Sequence, residues 1–166
     1  MGMVNPKMPA TEAGPLGSSE TVEDVLTEGD IRLLAALGFM AARSGQLVPC
    51  IRIFEGLAVL RPSKAFPFIG MAVGYLAVGM ASTAIDILRR RHVQDITADP
   101  EIQLYLALAL YQDGQSAAAL DMIEIWRHSK GESTADFQLG KRLSELLATG
   151  KGSGRLPVPA LVVDPD

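Results

Sequence analysis

Few residues in this chain could do chemistry. Its two histidines are His92 and His128. His92 follows Arg89-Arg90-Arg91 at a predicted helix end, where a cation suits the negative end of the helix dipole. His128 has the same placement. Neither has a carboxylate or cysteine at ligand spacing, so no metal site is expected. The single cysteine, Cys50, excludes an internal disulfide or a multi-cysteine zinc site and fits a reducing compartment. A nucleophilic thiol needs a basic neighbour, and none is suggested, so Cys50 reads as a buried contact. Gly150-Lys151-Gly152-Ser153-Gly154 has the composition of a phosphate loop without the GxxxxGK[ST] order or a preceding strand, and reads as linker. The triple arginine reads as a solvated helix end, and Trp126 as core or interface. With no catalytic constellation and no cofactor motif, an enzyme is the reading these residues favour least.

The chemistry therefore lies in surfaces, and the elements must be found that build them. Of 166 residues, 48% are hydrophobic, only 5% are aromatic and 20% are charged. That hydrophobicity requires an ordered domain for most of the chain. A net charge of -4 argues against a nucleic-acid partner, which normally meets a basic domain. Met1 to Pro9 has no apolar core of a signal peptide, which predicts a cytoplasmic protein.

Residues 1–29 read as a flexible leader. Pro6, Pro9, Gly14, Pro15 and Gly17 break its start, and Glu12, Glu20, Glu23, Asp24 and Glu28 make it acidic. A short helix at 20–27 is possible there, capped by Ser19 or Thr21. From Asp30 to Thr149 the apolar pattern is helical. Asp30 is expected to cap a helix over 31–43, and helices follow at 48–60, 65–78, 82–92, 100–112, 116–129 and 134–149. Pro49 falls in a first turn, where its missing N–H costs little. Residues 150–166 are rich in glycine and proline and read as a flexible tail.

A repeat organises the helical part. The turn residues Gly45, Gly79 and Gly114 are 34 and 35 apart. Seven residues before each stands a small residue (Gly38, Ala72, Ala107), and five after stands another (Cys50, Ala84, Ala119). Nine after comes a large one: Phe54, Leu88, Ile123. Antiparallel helices approach closely only where side chains are small, with large neighbours filling the space around. Each hairpin leaves an apolar face uncovered, so the units must stack. Three ordinary hairpins of a bundle are the alternative. Leu139, Leu143, Leu146 and Leu147 give 134–149 the stripe of a helix that closes the stack.

This pattern resembles the tetratricopeptide repeat, over about residues 31–131. It departs from the family at position four, usually Trp, where Leu34, Phe68 and Gln103 stand. Leu57, Arg91 and Trp126 replace the small residue late in the second helix, and the closing Pro62 has Ile96 and Gly131 as counterparts. The resemblance implies an all-α solenoid of three hairpins plus a capping helix. It also implies that positions two, five, nine, twelve and thirteen of each unit line a concave face. Those are Arg32, Ala35, Phe39, Ala42 and Arg43, then Phe66, Ile69, Val73, Leu76 and Ala77, then Glu101, Leu104, Leu108, Tyr111 and Gln112. Ten of these fifteen are apolar without Tyr111. The family's carboxylate-clamping version uses Lys and Asn where Ala35 and Phe39 stand, so that function is disfavoured.

An apolar groove suits an amphipathic helix or an extended apolar peptide. The candidate contact residues are Phe39, Phe66, Ile69, Val73, Leu76, Leu104, Leu108 and Tyr111. The same residues equally suit packing against a neighbouring helix in a closed bundle. The Leu34–Pro62 unit is similar in style to the small tetratricopeptide chaperones of bacterial type III secretion. That resemblance implies a cytoplasmic chaperone or adaptor, monomeric or homodimeric, holding an amphipathic segment of a secretion subunit. A general scaffold in a pilus or envelope assembly is one alternative. Another is a membrane anchor at 65–85, a stretch without charge that contains Gly70-xxx-Gly74. Pro67, Gly74 and Gly79 interrupt that stretch, and splitting it at Gly79 restores the repeat.

Overall fold

The computed structural model describes residues 26–94, 99–129 and 134–149. Seven helices account for nearly all of them: α1 Glu28–Arg43, α2 Leu47–Leu60, α3 Phe66–Ala77, α4 Ala81–Gln94, α5 Pro100–Gln112, α6 Ser116–Ser129 and α7 Thr134–Thr149. No strand occurs among the described residues. Each predicted helix from 31 onward is present within three residues at either end. The exception to the predicted capping is the start of α1. Its N-cap is Thr27, and Asp30 sits one turn inside. The Thr27 hydroxyl accepts from the Asp30 backbone N–H at 3.2 Å, while the Asp30 carboxylate accepts from the Thr27 N–H at 2.9 Å. The Thr27 hydroxyl also donates to that carboxylate at 2.7 Å. These bonds to Thr27 hold the Asp30 carboxyl below its ordinary pKa. Two orphan donors are thus satisfied by one reciprocal pair. Residues 20–25 of the suggested short helix lie outside the described residues, and Leu26 and Thr27 are not helical.

The repeat register is built into the turns. Gly45, Gly79 and Gly114 have φ of +71°, +82° and +81°. At each, the residue after the glycine donates its N–H across the turn at 2.9 Å: Gln46 to Ala41, Met80 to Tyr75 and Gln115 to Leu110. The glycine's own N–H bonds to Ala42, Leu76 or Tyr111. This is the Schellman closure, which needs a left-handed residue at that one place. The turn at Gly79 splits 65–85 into α3 and α4. No helix among the described residues is long and apolar enough to cross a membrane, so the spanning alternative fails.

The helices form two layers. α1, α3, α5 and α7 make one, and α2, α4 and α6 make the other. Each helix of the first layer touches the next of its own layer and the second-layer helices beside it. Glycine sets the closest approaches. The Phe54 ring of α2 is fully buried, and a Cβ on Gly38 of α1 would come within 2.7 Å of it. A Cβ on Gly70 of α3 would overlap the same ring. Phe39 packs on Phe54 with ring centroids 4.8 Å apart and planes tilted by 59°. A Cβ on Gly74 would lie 2.7 Å from the Cys50 sulfur. Gly70 and Gly74 therefore seat α3 on α2 within one chain.

Two glycine variants separate space from backbone. Gly70→Ala should destabilise the fold by about 1–3 kcal/mol, because Phe54 is held from the other side by Gly38. Gly114→Ala should cost about 1–2 kcal/mol for its positive φ alone, since nothing lies within 4 Å of a Cβ there. Denaturant unfolding checks both. An unchanged midpoint for Gly70→Ala would contradict the packing.

Candidate functional site

All eight candidate contact residues lie on α1, α3 and α5, and the structure buries every one of them. Phe39 and Tyr111 are the most exposed, at 8%. Ile69, Val73, Leu76, Leu104 and Leu108 are at 1% or less. They form a continuous apolar series from Phe39 across α3 to Tyr111, within the single core of the chain. Around this series stand exposed Arg32 and Arg43 on α1 and half-buried Glu101 and Gln112 on α5. α5 is the centre of the arrangement. Asp99 caps it, accepting the Glu101 N–H at 3.1 Å, and every residue from Ile102 to Tyr111 is buried.

Polar atoms inside this apolar ground are few and distinctive. Gln103 is completely buried, and neither its amide oxygen nor its nitrogen has a hydrogen-bond partner among the described residues. It occupies the repeat position that a large apolar side chain fills in the other two units, as Leu34 and Phe68. The Gln112 amide nitrogen and the Trp126 ring nitrogen are likewise buried without an acceptor among the described residues. Gln112 stands at one of the positions that the repeat resemblance assigns to a concave face.

The remaining residues of chemical interest lie where packing explains them. Cys50 is buried, and its thiol contacts the Gly70 carbonyl at 3.8 Å. Burial pushes that thiol up from an ordinary 9.0 to about 11, so it stays neutral and unreactive at pH 7. Trp126 packs its ring where a Cβ on Gly140 would otherwise stand, which seats α7 on α6. Leu139 and Leu143 of α7 are buried, and Leu146 and Leu147 pack half-buried against the core. His128 is exposed, and no cluster of His, Cys, Asp or Glu among the described residues could hold a metal ion.

A second apolar surface escaped the sequence reading. Leu33, Leu37 and Met40 on α1 are 61%, 43% and 64% exposed. They occupy positions three, seven and ten of the first unit. The same positions in the second unit are Pro67, Met71 and Gly74, and in the third Ile102, Leu106 and Ala109. Only Met71 of those six is even half-exposed, because each packs toward the preceding hairpin. The signal lies in the repeat register itself, at positions three, seven and ten.

Replacing Gln103 by Leu should stabilise the fold by about 1–2 kcal/mol, by removing two unpaired polar atoms from an apolar site. A chemical-denaturation midpoint that falls instead would show that the amide is satisfied.

No protein-family model matches the chain, and no curated protein matches it. Solved structures do. The type III secretion translocator chaperone SycD of Yersinia enterocolitica shares 24% identity, with a TM-score of 0.59, over 82% of this chain and 95% of its own. A second SycD structure, an alternative dimer, gives 24% and 0.60 over 74% and 92%. PcrH, solved in complex with the chaperone-binding region of PopD, gives 23% and 0.58 over 75% and 92%. The likeness shows that the fold is shared.

Proposed function

We propose that this chain is a non-enzymatic binding module, a cytoplasmic chaperone or adaptor that holds an apolar segment of a type III secretion subunit. The observation that carries the reading is the apolar series on α1, α3 and α5, which no described helix crosses. An apolar series of this kind would suit an extended or helical apolar segment. The shared fold supports the same reading, since PcrH was solved with a region of PopD. Residues 30–149 would be the binding unit, between a leader at 1–29 and a tail at 150–166. Phe39, Phe66, Ile69, Val73, Leu76, Leu104, Leu108 and Tyr111 would provide the contacts.

The test has two parts. Co-purification from the native host with mass spectrometry should recover a small secreted subunit. A stoichiometric structural complex would instead favour a scaffold in a pilus or envelope assembly. Tyr111→Ala, at the rim of the series, should weaken capture about tenfold with an unchanged helical circular dichroism spectrum. Unchanged capture would remove the groove from the reading.

The exposed end of α1 favours a homodimer as the working form. Leu33, Leu37 and Met40, with Ala36 between them, recur at helical spacing on one face. A second copy, packed α1 to α1 about a twofold axis, buries the stripe against itself. Light scattering should give a dimer mass for the native chain and a monomer mass for Leu33→Lys/Met40→Lys. A dimer that survives both lysines would place the interface elsewhere.

A further inference from the structure

The first-layer side of the fold poses a burial problem. The outer side of the second layer shows what an uncovered face looks like: Glu55 and Val59, Asp86 and Arg89, Asp121 and Ile125 are all exposed. No described helix lies across α1, α3 and α5 on their own outer side. Yet Ile69, Val73, Leu76, Leu104 and Leu108, at the concave positions, are at most 1% exposed. Helices packed about 8–10 Å apart leave a furrow between them, not a seal. The ten consecutive buried residues Ile102–Tyr111 take in every side of α5, including that one.

We propose that the chain's own segment Arg155–Asp166 lies in this groove and holds it until a partner displaces it. The proposal rests on the groove reading above and adds its regulation. Four features of the page support this occupant. Its run Leu156–Val163, LPVPALVV, carries no charge. Its two prolines favour an extended backbone without internal hydrogen bonds, which leaves the carbonyls free for a donor. Gln112 offers such a donor, with a buried amide nitrogen unpaired among the described residues. The reach also fits. α7, which ends at Thr149, packs on α5, and three helix spacings from α7 to α1 amount to roughly 24–30 Å. The thirteen residues from Gly150 to Val162 span about 40 Å at ~3.1 Å each. The acids that follow, Asp164 and Asp166, then arrive near α1, which exposes Arg43 at a concave position. The leader is the poorer occupant, because its glycines, prolines and acids leave no apolar run of this length.

A tethered segment competes at an effective concentration of about 1 mM. The test therefore measures a labelled synthetic peptide of residues 155–166 against the full-length chain. Full-length Val158→Asp/Leu161→Asp, whose own tail cannot seat, should bind that peptide at least about tenfold more tightly than the native chain does. The peptide carrying Leu161→Asp should bind neither. Adding Gln112→Ala to the tail variant should weaken binding roughly fivefold, with unchanged circular dichroism. Equal affinity for native chain and tail variant, or none for the variant, overturns the proposal. So does a groove that opens on deletion of 1–25 and not on the tail substitutions. The chaperone reading is scored separately, with a peptide from the chaperone-binding region of PopD. A tail variant that takes the 155–166 peptide and refuses the PopD peptide sinks that reading and leaves the tail contact standing.

Discussion

The seating of one ring, Phe54, governs the geometry of the first half of the molecule. Its edge meets the backbone of Gly38 on α1 and of Gly70 on α3. A ring held between two glycines fixes both helices against α2 at once, and so fixes α1 relative to α3. Cys50 and Gly74 repeat the contact one turn away. Trp126 and Gly140 do the same between α6 and α7. Large residues thus sit on the second layer, and the glycines that admit them sit on the first. Backbone against ring leaves little freedom, because an interior packed like a crystal yields in discrete steps rather than continuously.

Stacking of identical contacts gives the two ends of the molecule different fates. At one end α7 lays Leu139 and Leu143 into the core and turns Gln138, Lys141, Arg142 and Glu145 outward. That is the polar outer face a terminal unit needs. At the other end α1 keeps the pattern of an interior helix, with apolar residues at the positions that α3 and α5 bury. Among the described residues the stack thus ends in a polar face at α7 and in an exposed apolar stripe at α1. The ion pair between Arg61 and Glu28, 2.7 Å long, ties the end of α2 to the start of α1 without covering that stripe. It is surface-exposed on the Glu28 side and contributes at most about 1 kcal/mol.

The helices and turns were legible in the sequence because they rest on local rules. Gly45, Gly79 and Gly114 stand where a left-handed residue closes a helix, and any other residue there is strained. The cap of α1 was less legible. Asp30 is a good capping residue by type, but Thr27 three residues earlier forms the reciprocal pair, and an Asp in place of the usual Glu or Gln hides it. Gly70 and Gly74 left a lipid-facing alternative open because spacing alone cannot say which ring a glycine faces. Gln103 was read as a departure from the family pattern at position four. Its unpaired burial depends on what the fold packs around it, which no local window contains. Repeat position picked out the residues expected on a concave face, but their near-complete burial is a property of the whole fold.

That burial bears on how a binding groove can exist in an isolated chain at all. An apolar furrow crossing three helices, left open, would expose a patch large enough to drive aggregation. Binding strength alone therefore cannot be what such a face is built for, since any apolar segment satisfies it. On the proposed reading, the face is covered before its partner arrives and uncovered by that partner in particular. A cover tethered to the same chain meets this condition with little intrinsic affinity, because its effective concentration is already about 1 mM. A partner present at micromolar levels must then bind far more tightly than the tether to displace it. On the proposed tail contact, specificity would arise from that threshold: weakly apolar segments fall below it, and a sequence that fits the furrow side chain by side chain, and pairs the amide nitrogen of Gln112, rises above it.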